Sequence, residues 1–312
     1  MHNHFLFTYT PNDRYVVDQR YGRPINNEEC LIMNETQEEI VLLVGARKYL
    51  TMEQIQEAER RKGREISEPE LNRILFGLEK RKVLTRYKMI IPARAEEFIF
   101  YGLNYWGAKK AKKHFGTKFH KGIRWYSRNE RKSHKIPEDL SSDVKRILMG
   151  NQILLEMEKA GVPMNRYGVM ETFRSLEQEK PALVRSTVNV EVDETSILAF
   201  DVVRTYSTSY LEAVSKMERY YQLLKDKNYL IKNYHNHKEF PQIVFVVENE
   251  EHAKMLKKYM QERGVWNLED VTVLFTEDNL VMNHVVKSIY ELDANNEKIW
   301  YELPVFEMSQ KK

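Results

Sequence analysis

The residues best suited to chemistry in this sequence are a cluster of cations between residues 101 and 136. The cluster holds eleven lysine or arginine residues and one acidic residue, Glu130, although the formal net charge of the 312-residue chain is only +3. Lysine and arginine at this density suit the phosphates of a nucleic-acid backbone. We assign phosphate binding to Lys109, Lys110, Lys112, Lys113, Lys118, Lys121, Arg124 and Arg128.

Aromatic side chains alternate with these cations, among them Trp106, Phe115 and Trp125. Such rings can stack on bases or anchor a segment to the protein, and we assign them mainly to packing. A run of charge is most often a solvated helix face, and a helix that begins at Asn104 would place the lysines of residues 109–113 on such a face. The cations therefore carry the functional signal.

Three helices and two strands precede the cluster. Apolar residues recur at helical spacing in the first helix, Thr51 caps the second, and Ser67 caps a third over residues 68–82. Two strand-like runs follow, at residues 83–91 and 98–103, around a basic tip that contains a proline. This order is typical of a winged helix-turn-helix.

In a winged helix-turn-helix, the third helix enters the major groove and the strand tip contacts the DNA backbone. The apolar face of residues 68–82 is formed by Leu71, Ile74, Leu75 and Leu78. The opposite face presents Glu70, Arg73, Gly77 and Lys80. We expect Arg73 and Lys80 to probe the groove. The cations expected on the wing are Arg86, Lys88 and Arg94. The same helices and hairpin would also serve as a protein-interaction module, which is the alternative for this region.

The second half of the chain alternates helices and strands. Helices are predicted over residues 142–161, 208–227 and 249–264, and strands over residues 187–192, 197–203, 242–247 and 271–275. This order indicates an α/β domain with a mixed sheet. No glycine-rich phosphate loop follows any of the strands, so the sequence gives little support to a nucleotide-binding fold.

The two halves together resemble the replication-relaxation family of plasmid and mobile-element proteins. The resemblance covers roughly residues 37–260, and it is carried by the layout and by two segments, FIFYGLNYWGAKKAKK at 98–113 and RSTVNVEVDETSILAFDVVRTYSTS at 185–209. It implies a winged helix followed by a domain similar to the PD-(D/E)XK nucleases.

In nucleases of that superfamily, two acids on neighbouring strands hold Mg²⁺, and a nearby lysine helps to activate water. By the resemblance, these three positions fall on Thr187, Asp201 and Val203, so only Asp201 keeps suitable chemistry. Glu191 and Asp193 are the candidates to replace the missing acid, although Asp193 falls in a turn. The resemblance therefore implies a nuclease-like scaffold with vestigial acids and without catalysis, metal or cofactor.

The sequence thus predicts an α+β or α/β protein in which a winged helix-turn-helix is followed by a nuclease-like α/β domain with a mixed sheet. The predicted boundaries are an arm at 1–36, the winged helix-turn-helix at 37–103, a basic connector at 104–140, the α/β domain at 141–290 and a tail at 291–312.

The bulk properties favour a cytoplasmic protein without a membrane partner. No apolar run is long enough to span a bilayer, and the start of the chain lacks the pattern of a signal peptide. Cys30 stands alone, which excludes an internal disulfide and a cysteine-rich zinc cluster. The tripeptide His-Asn-His occurs at residues 2–4 and 235–237, where we expect opportunistic metal binding at most.

The combined prediction is a non-enzymatic protein that binds double-stranded DNA for a plasmid, phage or integrative element, in replication, transfer or transcriptional control. Residues 137–312 carry seven more acidic than basic side chains, so we expect this half to contact a second copy or another protein. One alternative is a metal-dependent endonuclease that uses Asp201 with Glu191 or Asp193. The other is an adaptor whose basic run meets an acidic protein.

Overall fold

The computed structural model describes most of the chain. The described residues are 14–17, 32–91, 96–116, 138–174, 183–192, 196–204, 209–225, 241–266 and 271–304. The chain forms two compact units, and the boundary between them lies between Asn151 and Gln152. This boundary lies inside a helix, whereas the sequence analysis begins the second domain at residue 141.

The N-terminal unit contains the predicted helices and hairpin in the predicted order, together with two strands that were not predicted. They are β1 (Arg14–Val17), α1 (Glu35–Arg47), β2 (Tyr49–Thr51), α2 (Met52–Arg61), α3 (Glu68–Lys80), β3 (Leu84–Ile91), β4 (Glu96–Leu103) and α4 (Tyr105–Phe115). The strands pair antiparallel in the order β1-β3-β4-β2. The designation of α1 to β4 as a winged helix-turn-helix stays a prediction. Strand β1 lies in the stretch predicted to be an irregular arm.

Local capping explains where these helices begin. The side chain of Asn34 accepts from the backbone N–H of Gln37 at 2.9 Å, and that of Thr51 accepts from the N–H of Gln54 at 3.2 Å. Both glutamine side chains accept from the N–H of their cap, which completes a capping box. Ser67 caps α3. The caps at Thr51 and Ser67 are where the sequence predicts them, because a cap depends only on residues within one turn.

The core of the N-terminal unit lies between its helices and the four-stranded sheet. Leu71, Leu75 and Leu78 of α3 are fully buried, which leaves the opposite side of α3 outside this core. Tyr87 and Phe100, which pair across the β3–β4 hairpin, stack with their ring centroids 5.1 Å apart. The apolar stripe predicted for α3 is confirmed.

A long helix, α5 (Glu138–Ala160), leads from one unit into the other. The elements that follow are β5 (Arg166–Val169), β6 (Thr172–Arg174), β7 (Leu183–Arg185), β8 (Val188–Glu191), β9 (Ile197–Val202), α6 (Ser209–Leu224), β10 (Gln242–Val247), α7 (Glu250–Glu262), β11 (Val273–Glu277), α8 (Asp278–His284), a short 3-10 turn (Val285–Lys287), β12 (Ile289–Leu292) and β13 (Lys298–Tyr301).

Seven of these strands form one sheet, in the order β13-β12-β11-β10-β9-β8-β5. Strands β9, β10 and β11 run parallel, and the remaining neighbours in the sheet pair antiparallel. Strands β6 and β7 pair separately. The predicted α/β class with a mixed sheet is confirmed. Because β12 and β13 belong to this sheet, it extends into the stretch that the sequence analysis assigns to a tail.

The main apolar cluster of the C-terminal unit joins one face of the sheet to α6 and α7. Met217 of α6, Phe245 of β10 and Leu256 of α7 belong to it and are fully buried. Val203 belongs to the same cluster. Among the described helices, none combines the length and apolar character needed to cross a lipid bilayer.

Candidate functional site

Helix α4 presents a face of lysine side chains to solvent. Lys109, Lys112 and Lys113 are exposed, and their spacing places them on one side of the helix. The opposite side packs through the buried residues Ala108 and Ala111. Within the described residues, no acidic side chain pairs with these three lysines, and the first turn of α4 contains no acid. This face is the most concentrated cationic surface that the sequence predicted and the structure describes.

Close packing fixes the position of α4. A Cβ atom at Gly107 would lie only 2.3 Å from the carbonyl oxygen of Val83, so a side chain at this position would force the helix away. The same carbonyl accepts from the backbone N–H of Asn104 at 2.9 Å. Lys110 differs from the other lysines, because its ammonium lies 2.9 Å from the carboxylate of Glu38 on α1. Glu38 therefore neutralises only one of the four clustered lysines.

The outward side of α3 carries the two predicted groove-probing cations. Arg73 has 80% of its side chain exposed, and its guanidinium lies 4.0 Å from the carboxylate of Glu70. The ammonium of Lys80 lies 4.5 Å from the centre of the Phe76 ring. Phe76, which the sequence analysis did not single out, is 38% exposed. The spacing of residues 73, 76 and 80 places all three on one face.

Side chains from the end of α3 and from the middle of α4 both contact the first turn of α1. Arg81, which follows α3, donates to the side chain of Gln37 at 2.9 Å. The neighbouring residue on α1, Glu38, holds Lys110 of α4. Because Gln37 and Glu38 are adjacent in the chain, the C-terminal end of α3 and the middle of α4 border the same turn. Helix α1 therefore contacts both of the elements that carry the cations of the N-terminal unit.

The predicted wing cations are only partly visible to solvent. Arg86 and Lys88 lie on β3 and are half-buried, and they pair across the hairpin with Tyr101 and Ile99. Burial raises the pKa of Tyr101, and the nearby Arg86 guanidinium opposes that rise. Arg86 is thus directed partly at Tyr101. The predicted cations outside the described residues are Arg94, Lys118, Lys121, Arg124 and Arg128.

Asp201 of β9 lies in a closed hydrogen-bond network in the C-terminal unit. The residue is fully buried. One carboxylate oxygen accepts from the backbone N–H of Thr187 at 3.2 Å and from the ammonium of Lys216, and the other accepts from the hydroxyl of Tyr220 at 2.9 Å. The structure thus brings Thr187 and Asp201 together. The roles of Lys216 and Tyr220 were not predicted. The two residues lie four positions apart and therefore on one face of α6, which was the signal that the sequence offered.

Glu191, a candidate to replace the missing acid, and Val203, at the lysine position of the resemblance, are not hydrogen-bonded to Asp201. Glu191 pairs with Ile197 on β9, four residues from Asp201, which is about 13 Å along the strand. Val203 is buried in the apolar cluster, and Asp193 lies outside the described residues. In the described ranges, no three His, Cys, Asp or Glu side chains are grouped closely enough to hold a metal ion.

Another acid on this face of the sheet is already bonded to neighbouring side chains. The carboxylate of Glu171 accepts from Arg166 at 2.6 Å and from the amide of Asn189 at 3.4 Å. The carbonyl of that amide accepts from the hydroxyl of Ser186 at 2.6 Å. Asn189 and Ser186 are buried, so these bonds satisfy groups that could not otherwise reach water.

A second buried ionic group lies where the parallel strands end. Arg204, just beyond β9, donates to the carboxylate of Asp278, the first residue of α8, at 3.0 Å. On α7, the buried ring of His252 accepts through Nδ1 from the backbone N–H of Glu248 at 3.3 Å. Burial lowers the pKa of His252 to about 4; Glu248 opposes the change and Arg204 adds to it. The imidazole is therefore neutral near pH 7.

Comparisons with known proteins give little to place beside this geometry. No protein-family model matches the chain, and no curated protein matches it in sequence. The chain is similar to one solved structure, the crystal structure of protein VC1899 from Vibrio cholerae, with 8% identity and a TM-score of 0.28 over 81% of this chain and 55% of that one. The similarity thus spans about half the length of the Vibrio protein.

Proposed function

We propose that this chain binds double-stranded DNA without cutting it, through the predicted winged helix of residues 37–103 and the basic segment that follows. The observation that carries the proposal is the lysine face of α4, in the same unit as the exposed cations of α3. The resemblance to the replication-relaxation family supports a role in replication, transfer or transcriptional control of a plasmid, phage or integrative element in the cytoplasm.

Electrostatics is the first reason for this proposal. Lys109 repels Lys112 and Lys113, which lie about one helical turn away, and like charges at this spacing destabilise a helix. Glu38 offsets only Lys110. A polyanion would relieve the remaining repulsion, and duplex DNA presents phosphates at high density with counterions that binding releases. The repulsion between the lysines on this face is therefore smaller with such a partner bound than in the isolated protein.

The arrangement of the N-terminal helices is the second reason. Helix α3 follows α2 after a short connection and precedes the β3–β4 hairpin, as the recognition helix does in a winged helix-turn-helix. Its buried leucines leave Arg73 and Lys80 on the outward side. Arginine and lysine there would reach guanine edges in the major groove, while α4 would hold the adjacent backbone.

The proposal assigns no catalytic role to Asp201. Its two carboxylate oxygens already accept from Thr187, Lys216 and Tyr220. A hydrolytic Mg²⁺ needs accessible oxygen ligands and a group that activates water. We propose that the acidic C-terminal unit instead contacts a second copy of the chain or another protein.

The decisive experiment is the salt dependence of binding to short duplexes, measured by fluorescence anisotropy with the full chain. If about six cations meet phosphates, log affinity should fall against log salt with a slope of roughly −5. Replacing Lys109, Lys112 and Lys113 by glutamine should flatten the slope by about 3. A slope near zero for the parent chain would exclude the proposal.

A matched control separates a local contact from a change in net charge. Lys225, Lys258 and Lys287 are exposed on the C-terminal unit, and their replacement by glutamine alters net charge by the same amount. This control should leave the slope unchanged. Equal losses from both triple variants would show that overall charge, and not the face of α4, governs binding.

A further inference from the structure

An aromatic ring lies on the outward side of α3. Leu71, Leu75 and Leu78 define the buried side, and at 100° per residue Phe76 lies roughly 130° around the helix from that side. It has Arg73 one turn before it and Lys80 one turn after it. The ring is 38% exposed and lies under the Lys80 ammonium, 4.5 Å from its centre. A large apolar group is thus presented between two cations.

The neighbouring residue leaves the helix surface bare. A Cβ atom at Gly77 would meet nothing within 4 Å, so the packing of the free protein does not require glycine there. Glycine is also one of the least favourable residues in a helix interior. A surface that must approach another molecule closely would account for its presence, because the missing side chain lets the α3 backbone come nearer to that molecule.

We propose that Phe76 reads the 5-methyl group of a thymine in the major groove, with Gly77 allowing the close approach of α3; this rests on the proposed function. The thymine methyl is the apolar group that the major groove displays, and phenylalanine is one of the side chains that contact it. Arg73 and Lys80 flank the ring and carry the charge that draws this face to DNA. The preferred site therefore contains thymine beside guanine, which those cations bind through O6 and N7.

The test compares thymine with uracil, which differ only by this methyl group. The full chain is first used to select its preferred duplex from a random pool. Each thymine in that duplex is then replaced singly by deoxyuridine. At the position read by Phe76, affinity should fall about fourfold, the factor that corresponds to about 0.8 kcal/mol for one buried carbon at 1.4 kcal/mol per tenfold.

Variants assign the effect to the side chain. Phe76→Ala should bind the thymine and uracil duplexes equally, whereas Leu211→Ala, at an exposed apolar residue of α6, should keep the fourfold difference. Gly77→Ala should weaken binding to both duplexes while the circular dichroism of the protein shows an intact fold. Phe76→Leu retains an apolar group and should keep part of the preference.

Three results would overturn the inference while leaving DNA binding intact. They are selection of no preferred sequence, equal affinity for thymine and uracil at every position, and a uracil penalty that survives in Phe76→Ala. The last would mean that another side chain reads the methyl. Failure of the parent chain to bind any duplex would overturn this inference and the proposed function together, and would favour a protein as the occupant of this face.

Discussion

The two units of this protein use charged side chains in opposite ways. On α4, three lysines are exposed, and within the described residues no acid pairs with them. At Asp201, the carboxylate is buried and accepts from three donors, one of them the ammonium of Lys216. A buried charge is tolerated only when it is matched, whereas an exposed cluster without acids keeps its field available to a partner. The first arrangement suits binding and the second suits stability.

Removing the buried charge should have the largest effect on folding. Asp201→Ala removes the acceptor of the Tyr220 hydroxyl and of the Thr187 N–H, which are buried, and each such loss costs about 1–3 kcal/mol. It also removes the ionic partner of Lys216, which is 21% exposed. Urea unfolding followed by circular dichroism would measure the loss. Glu191→Gln, at a half-buried position on the neighbouring strand, is the control and should change the free energy of unfolding little. A neutral result for Asp201→Ala would break the comparison.

The same contrast predicts that the purified chain leaves supercoiled plasmid intact in Mg²⁺ or Mn²⁺. Asp201 is engaged by its three donors, and Glu191 lies about 13 Å away along the strand. A plasmid-nicking assay with and without EDTA would test this. Metal-dependent nicking that co-purifies with the protein and weakens in Asp201→Asn would assign chemistry to the buried carboxylate.

The next largest effect should come from acid, through His252. Its pKa is about 4 in the folded chain and about 6.5 when unfolded. Between these values the unfolded chain binds more protons than the folded one, so stability falls as pH drops from about 6.5 to 4 and then levels off. The loss is about 3 kcal/mol. Urea unfolding at several pH values would measure it.

His252→Asn is the matched variant for this titration. Asparagine can keep an acceptor for the Glu248 N–H but does not titrate in this range. Its stability should vary less between pH 6.5 and 4 than that of the parent chain. Identical pH profiles for the two proteins would exclude His252 as the source of the acid sensitivity.

Two cations of the N-terminal unit should differ in kind. Arg73→Ala should cost about 1–3 kcal/mol of binding free energy and relax the preference at particular base pairs. Lys112→Ala should weaken binding to every sequence alike and reduce the salt slope by about 1. Anisotropy titrations with selected and scrambled duplexes would distinguish the two. The placement of α3 in the groove fails if Arg73→Ala changes neither affinity nor preference.

The smallest effect concerns the free protein. Gly77→Ala should raise the free energy of unfolding by about 0.5–1 kcal/mol, because alanine favours the helix and its methyl group meets open space. Thermal unfolding without DNA would detect it. Destabilisation would show that the glycine serves the fold itself, which would remove one of the two observations behind the reading of thymine.

Features that depend on neighbours in sequence could be predicted, and those that depend on packing could not. Thr51 and Ser67 mark helix starts because a cap acts within one turn. The cation for Asp201 could not be identified, because Lys216 reaches it only once α6 packs on the sheet. Strands β12 and β13 were missed for a similar reason. They are short strands at one edge of the sheet, and pairing with β11, rather than a strong pattern of their own, places them there.

The exposed ring of Phe76 shows the same limit from the other side. Periodicity identified the buried leucines of α3, and their positions alone imply that residue 76 points outward. An apolar residue on the polar side does not strengthen a helical pattern, so the sequence alone assigns no role to Phe76. The role of Phe76 depends on how much of its ring is exposed and on the nearby Lys80 ammonium, and both are known only from the structure.

The tight contact between Gly107 and the Val83 carbonyl fixes the position of α4 independently of the lysines on its exposed face. The backbone at the N-terminal end of α4 determines where this helix packs, and the exposed lysines take no part in that packing. A protein engineer could therefore substitute Lys109, Lys112 and Lys113 to change the affinity for a polyanion, as long as residue 107 remains glycine.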